Sequence, residues 1–229
     1  MRPSKFLSAL CSLLLALFLL TAAIAVPILC RPLYYAQIDA LDLTENTGWD
    51  EETIRGAYDQ MMDYLVGNAP FGTGKLKWSE SGRAHFADCR VLFRLDFALL
   101  GVSAAGLLLL GALRWGKRIS LHRFCGRSPA FWALVGMTAV LLALLCWALV
   151  DFESLFTAFH TVFFPGKSNW IFDWRTDEII LILPEAFWAR CGAVVAALAF
   201  GGGALLTAVC EWLHWRRSPK SVYESAKLL

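Results

Sequence analysis

Residues 91–150 read VLFRLDFALL GVSAAGLLLL GALRWGKRIS LHRFCGRSPA FWALVGMTAV LLALLCWALV: two long apolar runs on either side of a basic hinge. A bilayer core of about 30 Å needs about 20 apolar residues in a helix, so each run is long enough to cross. The first run, 91–113, carries only Arg94 and Asp96 as charges, and the second, 130–150, carries none. Between them, residues 114–129 hold Arg114, Lys117, Arg118, Arg123 and Arg127 with no acid. Outward along the chain, two more runs of spanning length occupy about 7–29 and 186–210. The expected fold class is an all-α membrane protein with four transmembrane helices, residues 1–229 forming one polytopic membrane domain.

Composition agrees: 58% of the 229 residues are hydrophobic and 17% charged, against roughly 25% charged in an average soluble domain. With a net charge of +2 and no basic stripe on a folded face, nucleic acid is not an expected partner. The seven cysteines form no CxxC pair and most lie inside apolar runs, so they read as small hydrophobes rather than as a zinc ribbon or a disulfide framework. The basic loop and the two termini, with Arg2, Lys5, Arg216, Arg217, Lys220 and Lys227, hold eleven of the 21 cations. Of the acids, only Glu211 and Glu224 fall on that side. The positive-inside rule therefore puts both termini and the 114–129 loop in the cytoplasm, and an extracytoplasmic cap from about 30–90 and 151–185 on the other side. Met1 to Lys5 and Ala23-Ile24-Ala25 also resemble a cleavable leader. The first apolar run, however, exceeds the 7 to 15 residues of a usual leader core, so retention is expected. A lipoprotein signal is disfavoured because Cys30 follows Leu29 rather than a small residue.

The outer segments are not linkers. Thr47 as cap and Asp50, Glu51 and Glu52 in the first turn predict a helix over 47–66. Ile54, Ala57, Tyr58, Met61, Met62 and Leu65 form its apolar stripe, and Gly67-Asn68 its stop. Phe71-Gly-Thr-Gly-Lys75 lacks the full phosphate-loop spacing and reads as a turn. Helical continuation into the second span puts His85, Asp88 and Leu92 on one face, where the Asp88 carboxylate is spaced to orient the His85 imidazole. Asp96, about 8 Å deeper than residue 91, needs a partner, with Arg90 and Arg94 available; a structural role is preferred and transport disfavoured. The segment from Phe156 to Trp188 crowds aromatics at the membrane boundary, as interfacial belts do. Of four histidines, His122 and His214 sit among basic residues, whereas His85 and His160 both fall near the outer end of a span. Two helices can bring those two together.

At these residues the chain resembles the four-span bacterial membrane proteins of the lipoprotein intramolecular transacylase family. The likeness rests on Ser81-Gly82-x-x-His85-Phe86 followed by Arg90-x-Leu92-Phe93. It rests equally on Phe159-His160-x-x-Phe163-Phe164 followed by Trp170-Ile171-Phe172-Asp173, Asp177 and Leu183-Pro184-Glu185. It extends over the chain in span number, loop sizes and orientation. Arg90 stands where lysine is common, Cys89 where an aliphatic is common and Trp188 where phenylalanine is common.

The resemblance implies His85 and His160 as catalytic residues; Arg90, Phe164, Trp170 and Asp177 are candidate substrate-binding residues, with bracing of the loop the open alternative for Arg90, Trp170 and Asp177. It implies a multi-pass protein of the bacterial cell membrane that contacts membrane lipid and takes a diacylglyceryl lipoprotein as substrate. The sn-2 acyl chain would move to the amine of the N-terminal cysteine, giving a lyso-form lipoprotein. Counting atoms from amine nitrogen to ester carbonyl gives a ring of about eight, a closure that binding must pre-organise. One neutral histidine would take the amine proton and a protonated one would give a proton to the departing oxygen, work that suits an unperturbed pKa near 6.5. No metal or cofactor is required. Three alternatives use the same residues: a lipid or lipoprotein hydrolase with water as nucleophile, a zinc site assembled across the fold, and a non-enzymatic envelope scaffold.

Overall fold

The computed structural model describes residues 2–216, and they are helical with short connections. Eight α-helices follow in order: α1 Lys5–Leu29, α2 Arg31–Ala40, α3 Leu43–Thr47, α4 Glu51–Val66, α5 Glu80–Trp115, α6 Pro129–Val150, α7 Phe152–Phe163 and α8 Glu185–Arg216. A 3₁₀ turn, Glu178–Ile182, precedes α8. The four helices long and apolar enough to cross a membrane are α1, α5, α6 and α8. They answer to the four runs read from sequence. At about 1.5 Å per residue α5 is about 54 Å long, so it exceeds a bilayer core by several turns. Much of the apolar surface of these helices is uncovered, with Leu108, Leu149 and Leu205 each more than two-thirds exposed. In water that would be an association hazard; in hydrocarbon it is the expected state. The tail charges Arg217, Lys220, Glu224 and Lys227 lie outside the described residues.

The chain divides into two compact units, and each long helix contributes residues to both. The first comprises Met1–Ala22, Leu99–Ala143 and Ala196–Leu229. Here the basic loop is stitched to α1 and α8. Ser4 N donates to Ser120 O at 2.9 Å, the buried Ser8 hydroxyl accepts from His122 N at 2.7 Å, and the Ser12 hydroxyl donates to Pro129 O at 2.9 Å. Glu211 accepts from Arg123 and from Ser128 N. Small residues let the helices close up. A Cβ added at Gly106 would come within 2.9 Å of Leu14, and one at Gly203 within 3.0 Å of Leu134, the small-residue packing that membrane helices rely on.

The second unit comprises Ala23–Ala98 and Leu144–Val195, and it holds the main core. The α4 stripe read from sequence is buried at all six positions. Its cap is not Thr47, as expected, but Asp50, whose carboxylate accepts from Thr53 N at 2.7 Å. Thr47 instead closes α3, its hydroxyl donating to Leu43 O. The physical reason is Gly48 at φ +74°, a left-handed residue that ends α3 and allows a second start two residues on. Tyr34 of α2 stacks on Tyr58 of α4 with centroids 3.7 Å apart, and its hydroxyl donates to Ile182 O at 3.0 Å. Burial pushes the Tyr58 phenol well above its ordinary range, so both rings act as neutral core. Phe71–Lys75 forms a turn in which Gly74 N donates to Gln60. The Asp96 carboxylate is nearly buried, and its Oδ2 has no hydrogen-bond partner among the described residues. Arg90, one of the two cations available to it, donates instead to Gly67 O at 2.5 Å and lies over the Tyr64 ring.

Candidate functional site

The position of His85 follows from how α5 begins. Asp177 is buried, and its carboxylate accepts from Ser79 N at 2.8 Å, from the Ser79 hydroxyl at 2.7 Å and from the Thr176 hydroxyl at 2.9 Å. Beside it, Glu178 accepts from Lys77 N at 2.8 Å and Lys77 Nζ at 2.9 Å. These bonds fasten the residues leading into α5 to the turn before α8. Gly82 leaves room for the arrangement, because a Cβ there would stand 2.1 Å from Asp177 Oδ1. One turn further, His85 is 6% exposed.

His160 comes from α7, whose start is capped by Asp151 accepting from Ser154 N at 2.9 Å. The helix is short, and its one buried side chain is His160. Nδ1 of His160 lies 2.7 Å from the Phe156 carbonyl oxygen. A carbonyl only accepts, so Nδ1 carries the hydrogen and Nε2 is left with the lone pair. The ring stacks on Trp170 at 4.6 Å and touches Phe156 at 4.1 Å. Burial holds His160 below the ordinary histidine range, and the Phe156 carbonyl offsets this only in part. His160 therefore rests neutral at physiological pH.

The two imidazoles face each other with centroids 5.7 Å apart and planes 34° apart. Phe164 packs against both, 5.0 Å from His85 and 5.7 Å from His160. Together they line a cavity of about 390 Å³ that lies within the second unit. Ile24 and Ile28 of α1, Tyr58, Met61 and Met62 of α4, Phe86, Leu92 and Phe93 of α5, and Phe187, Trp188 and Val195 of α8 complete much of its wall. The wall is apolar apart from the histidines, the sulfur atoms of Met61, Met62, Cys89 and Cys191, the Tyr58 hydroxyl and the indoles of Trp170 and Trp188. Such a site suits an acyl chain held beside two groups able to move a proton. Among the described residues no three His, Cys, Asp or Glu side chains converge as metal ligands.

The candidates fall into two groups. His85, His160, Phe164 and Trp170 line the cavity. Arg90 and Asp177 do not: one ties α5 to the α4 terminus and the other ties the start of α5 to the 173–178 segment. The expected His85–Asp88 pair is also corrected. Asp88 is engaged by Lys167 Nζ at 2.5 Å and Asn169 Nδ2 at 3.1 Å, which latch the Trp170 segment to α5. A lysine charge outcompetes a neutral imidazole for a carboxylate. What the histidine has instead is Cys89, Sγ 3.4 Å from Nε2, a contact that helical spacing of four residues could have flagged. Lys167 and Asn169 lie in an irregular segment with no periodic signal.

With this geometry in view, comparison with known proteins is specific. A family model described as lipoprotein intramolecular transacylase Lit matches residues 9–188. Among solved structures, the chain is similar to the membrane integral lipoprotein intramolecular transacylase Lit from Bacillus cereus, with TM-score 0.82 and 22% identity over 92% of this chain and 96% of that chain. A variant of the Bacillus cereus protein with one histidine replaced by alanine superposes with TM-score 0.78 and 22% identity, covering 92% of this chain and 94% of that chain. At this identity these structures speak to fold. A search among curated proteins gives no significant match.

Proposed function

Because the chain belongs to the lipoprotein intramolecular transacylase family, and so performs intramolecular acyl transfer on lipoproteins, we propose that it moves the sn-2 acyl chain of a diacylglyceryl lipoprotein to the amine of the N-terminal cysteine, with His85 and His160 as the proton-moving pair. The product is the lyso-form lipoprotein. The observation that carries the proposal is two buried imidazoles 5.7 Å apart on the wall of one apolar cavity. The amine nitrogen bonds to the ester carbonyl carbon, the bond from that carbon to the sn-2 oxygen breaks, and one amine proton ends on the oxygen. The pair gains a proton and returns it, with no net change.

His160 is the base, since its Nδ1–H is held by a carbonyl and its Nε2 is free to accept. A charge resting on either ring in this apolar wall would be costly. A pair that rests neutral and carries a proton only during the transfer therefore fits better than one imidazole protonated in advance. His85 is the second stop for that proton. Phe164 and Trp170 pack the rings and bound the space in which the lipid folds to bring amine and ester together, a pre-organisation worth several kcal/mol in well-oriented reactions, on the order of 7–11 at the upper end. The cation distribution supports a bacterial plasma membrane orientation with both termini cytoplasmic and the cavity on the outer side, in contact with membrane lipid.

The test is mass spectrometry of a lipoprotein's N-terminal peptide from cells lacking N-acylating activity. With the intact chain, one acyl group moves to the amine and total mass is unchanged. His85→Ala or His160→Ala lowers product at least about a hundredfold. Full product from both variants overturns the assignment, and loss of an acyl mass means hydrolysis.

A further inference from the structure

His85 and His160 are held in unlike ways. His160 has a backbone carbonyl on Nδ1, whereas the His85 ring has a single hydrogen-bond partner among the described residues, the Cys89 thiol 3.4 Å from Nε2. Nδ1 of His85 is buried and has no hydrogen-bond partner among the described residues. The carboxylate one turn along, Asp88, is engaged by Lys167 and Asn169. Side chains four apart on a helix share a face, and each leans toward the N-terminus, so residue 89 lies over residue 85. An unpaired buried N–H is rarer and costlier than an unpaired lone pair. The hydrogen of neutral His85 therefore belongs on Nε2, donated to sulfur, with the lone pair on Nδ1.

We propose that Cys89 is a positioning residue for His85: its sulfur accepts the Nε2 hydrogen, fixes the ring and its tautomer, and leaves Nδ1 able to receive a proton. This rests on the reading of His85 as a reacting group. A carboxylate in the same place would bring a charge into the wall and favour a resting imidazolium. The thiol orients without adding charge, which keeps the pair neutral between turnovers. The neighbours are consistent with that need. His160 faces the ring from α7, Phe164 and Phe172 pack its edges, and the nearest charges, Asp88 and Lys167, neutralise each other.

The full-length chain, purified in detergent with a diacylated lipopeptide as substrate, tests this through Cys89→Ala, Cys89→Val and Cys89→Ser. Removing the polar contact in the Ala and Val variants lowers kcat about tenfold while KM stays within about twofold, and the serine hydroxyl restores kcat to within about threefold. Nitrogen-15 spectra show His85 hydrogenated at Nε2 in the native and serine proteins, and as a mixture of tautomers in the other two. Native kcat in Cys89→Val, which keeps the bulk and loses the contact, overturns the proposal, as does Cys89→Ser being as slow as Cys89→Ala. His85→Ala is run alongside. If it is inactive while Cys89→Val is fully active, only the Cys89 proposal fails; if it is active, the reading of His85 fails first.

Discussion

The hydrogen on Nδ1 of His160 is fixed by a carbonyl one turn earlier on its own helix, 2.7 Å away, and that contact decides which nitrogen can work. Because burial disfavours the cation, His160 binds a proton more weakly in the folded chain than in an unfolded one. The sign follows: the neutral form, and the stability that goes with it, are present above about pH 6.5 and are lost as pH falls through a lower midpoint. Titration of His160 by nitrogen-15 resonance should therefore give a midpoint below 6.5, with Nδ1 hydrogenated throughout. A midpoint well above about 7 would mean that the ring rests as a cation and is not the resting base. Both histidines were legible in the sequence, because only those two sit at the outer ends of apolar runs. Their partners were less so. Spacing offered Asp88 to His85, but a lysine 79 residues further on takes that carboxylate, and spacing along one helix carries no information about a competitor from another segment.

At the scale of elements, α4 and α5 show two degrees of legibility. The α4 stripe could be read residue by residue, since a period of 3.6 in apolar residues records the core face directly. Its start could not, because Thr47, Asp50 and the acids after it offer several caps and only the left-handed Gly48 settles which is used. The start of α5 depends on Asp177, 98 residues from Ser79, a long-range pairing that no local pattern encodes. From sequence Asp177 is a candidate either for the substrate or for bracing the loop; its bonds to Ser79 and Thr176 are those of a brace. Asp177→Ala leaves Ser79 N and its hydroxyl without their acceptor and should cost about 2–3 kcal/mol of stability. Thermal denaturation in detergent should show the loss, with activity recovering on cooling the folded fraction. Unchanged stability with activity abolished would return Asp177 to the substrate.

For the whole molecule, the orientation proposed from the count of cations is open to a direct test. Cys125 is exposed in the 114–129 loop, which the positive-inside rule assigns to the cytoplasm. In a variant keeping only this cysteine, a membrane-impermeant thiol reagent should label it in inverted vesicles and leave it unlabelled in intact cells; the reverse would invert the topology. The four spans were legible because twenty apolar residues have few other uses. The cavity was not, since its wall draws on residues from α1, α4, α5, α7 and α8 that become neighbours only in the fold.

The most direct test of the central assignment uses the purified chain and a synthetic lipopeptide whose sn-2 acyl chain alone carries an isotopic label. Fragment mass spectrometry after reaction should find the label on the cysteine nitrogen, the sn-1 chain unmoved and the total mass unchanged. Label released as free fatty acid, or exchanged between two peptides of different sequence, would contradict an intramolecular shift.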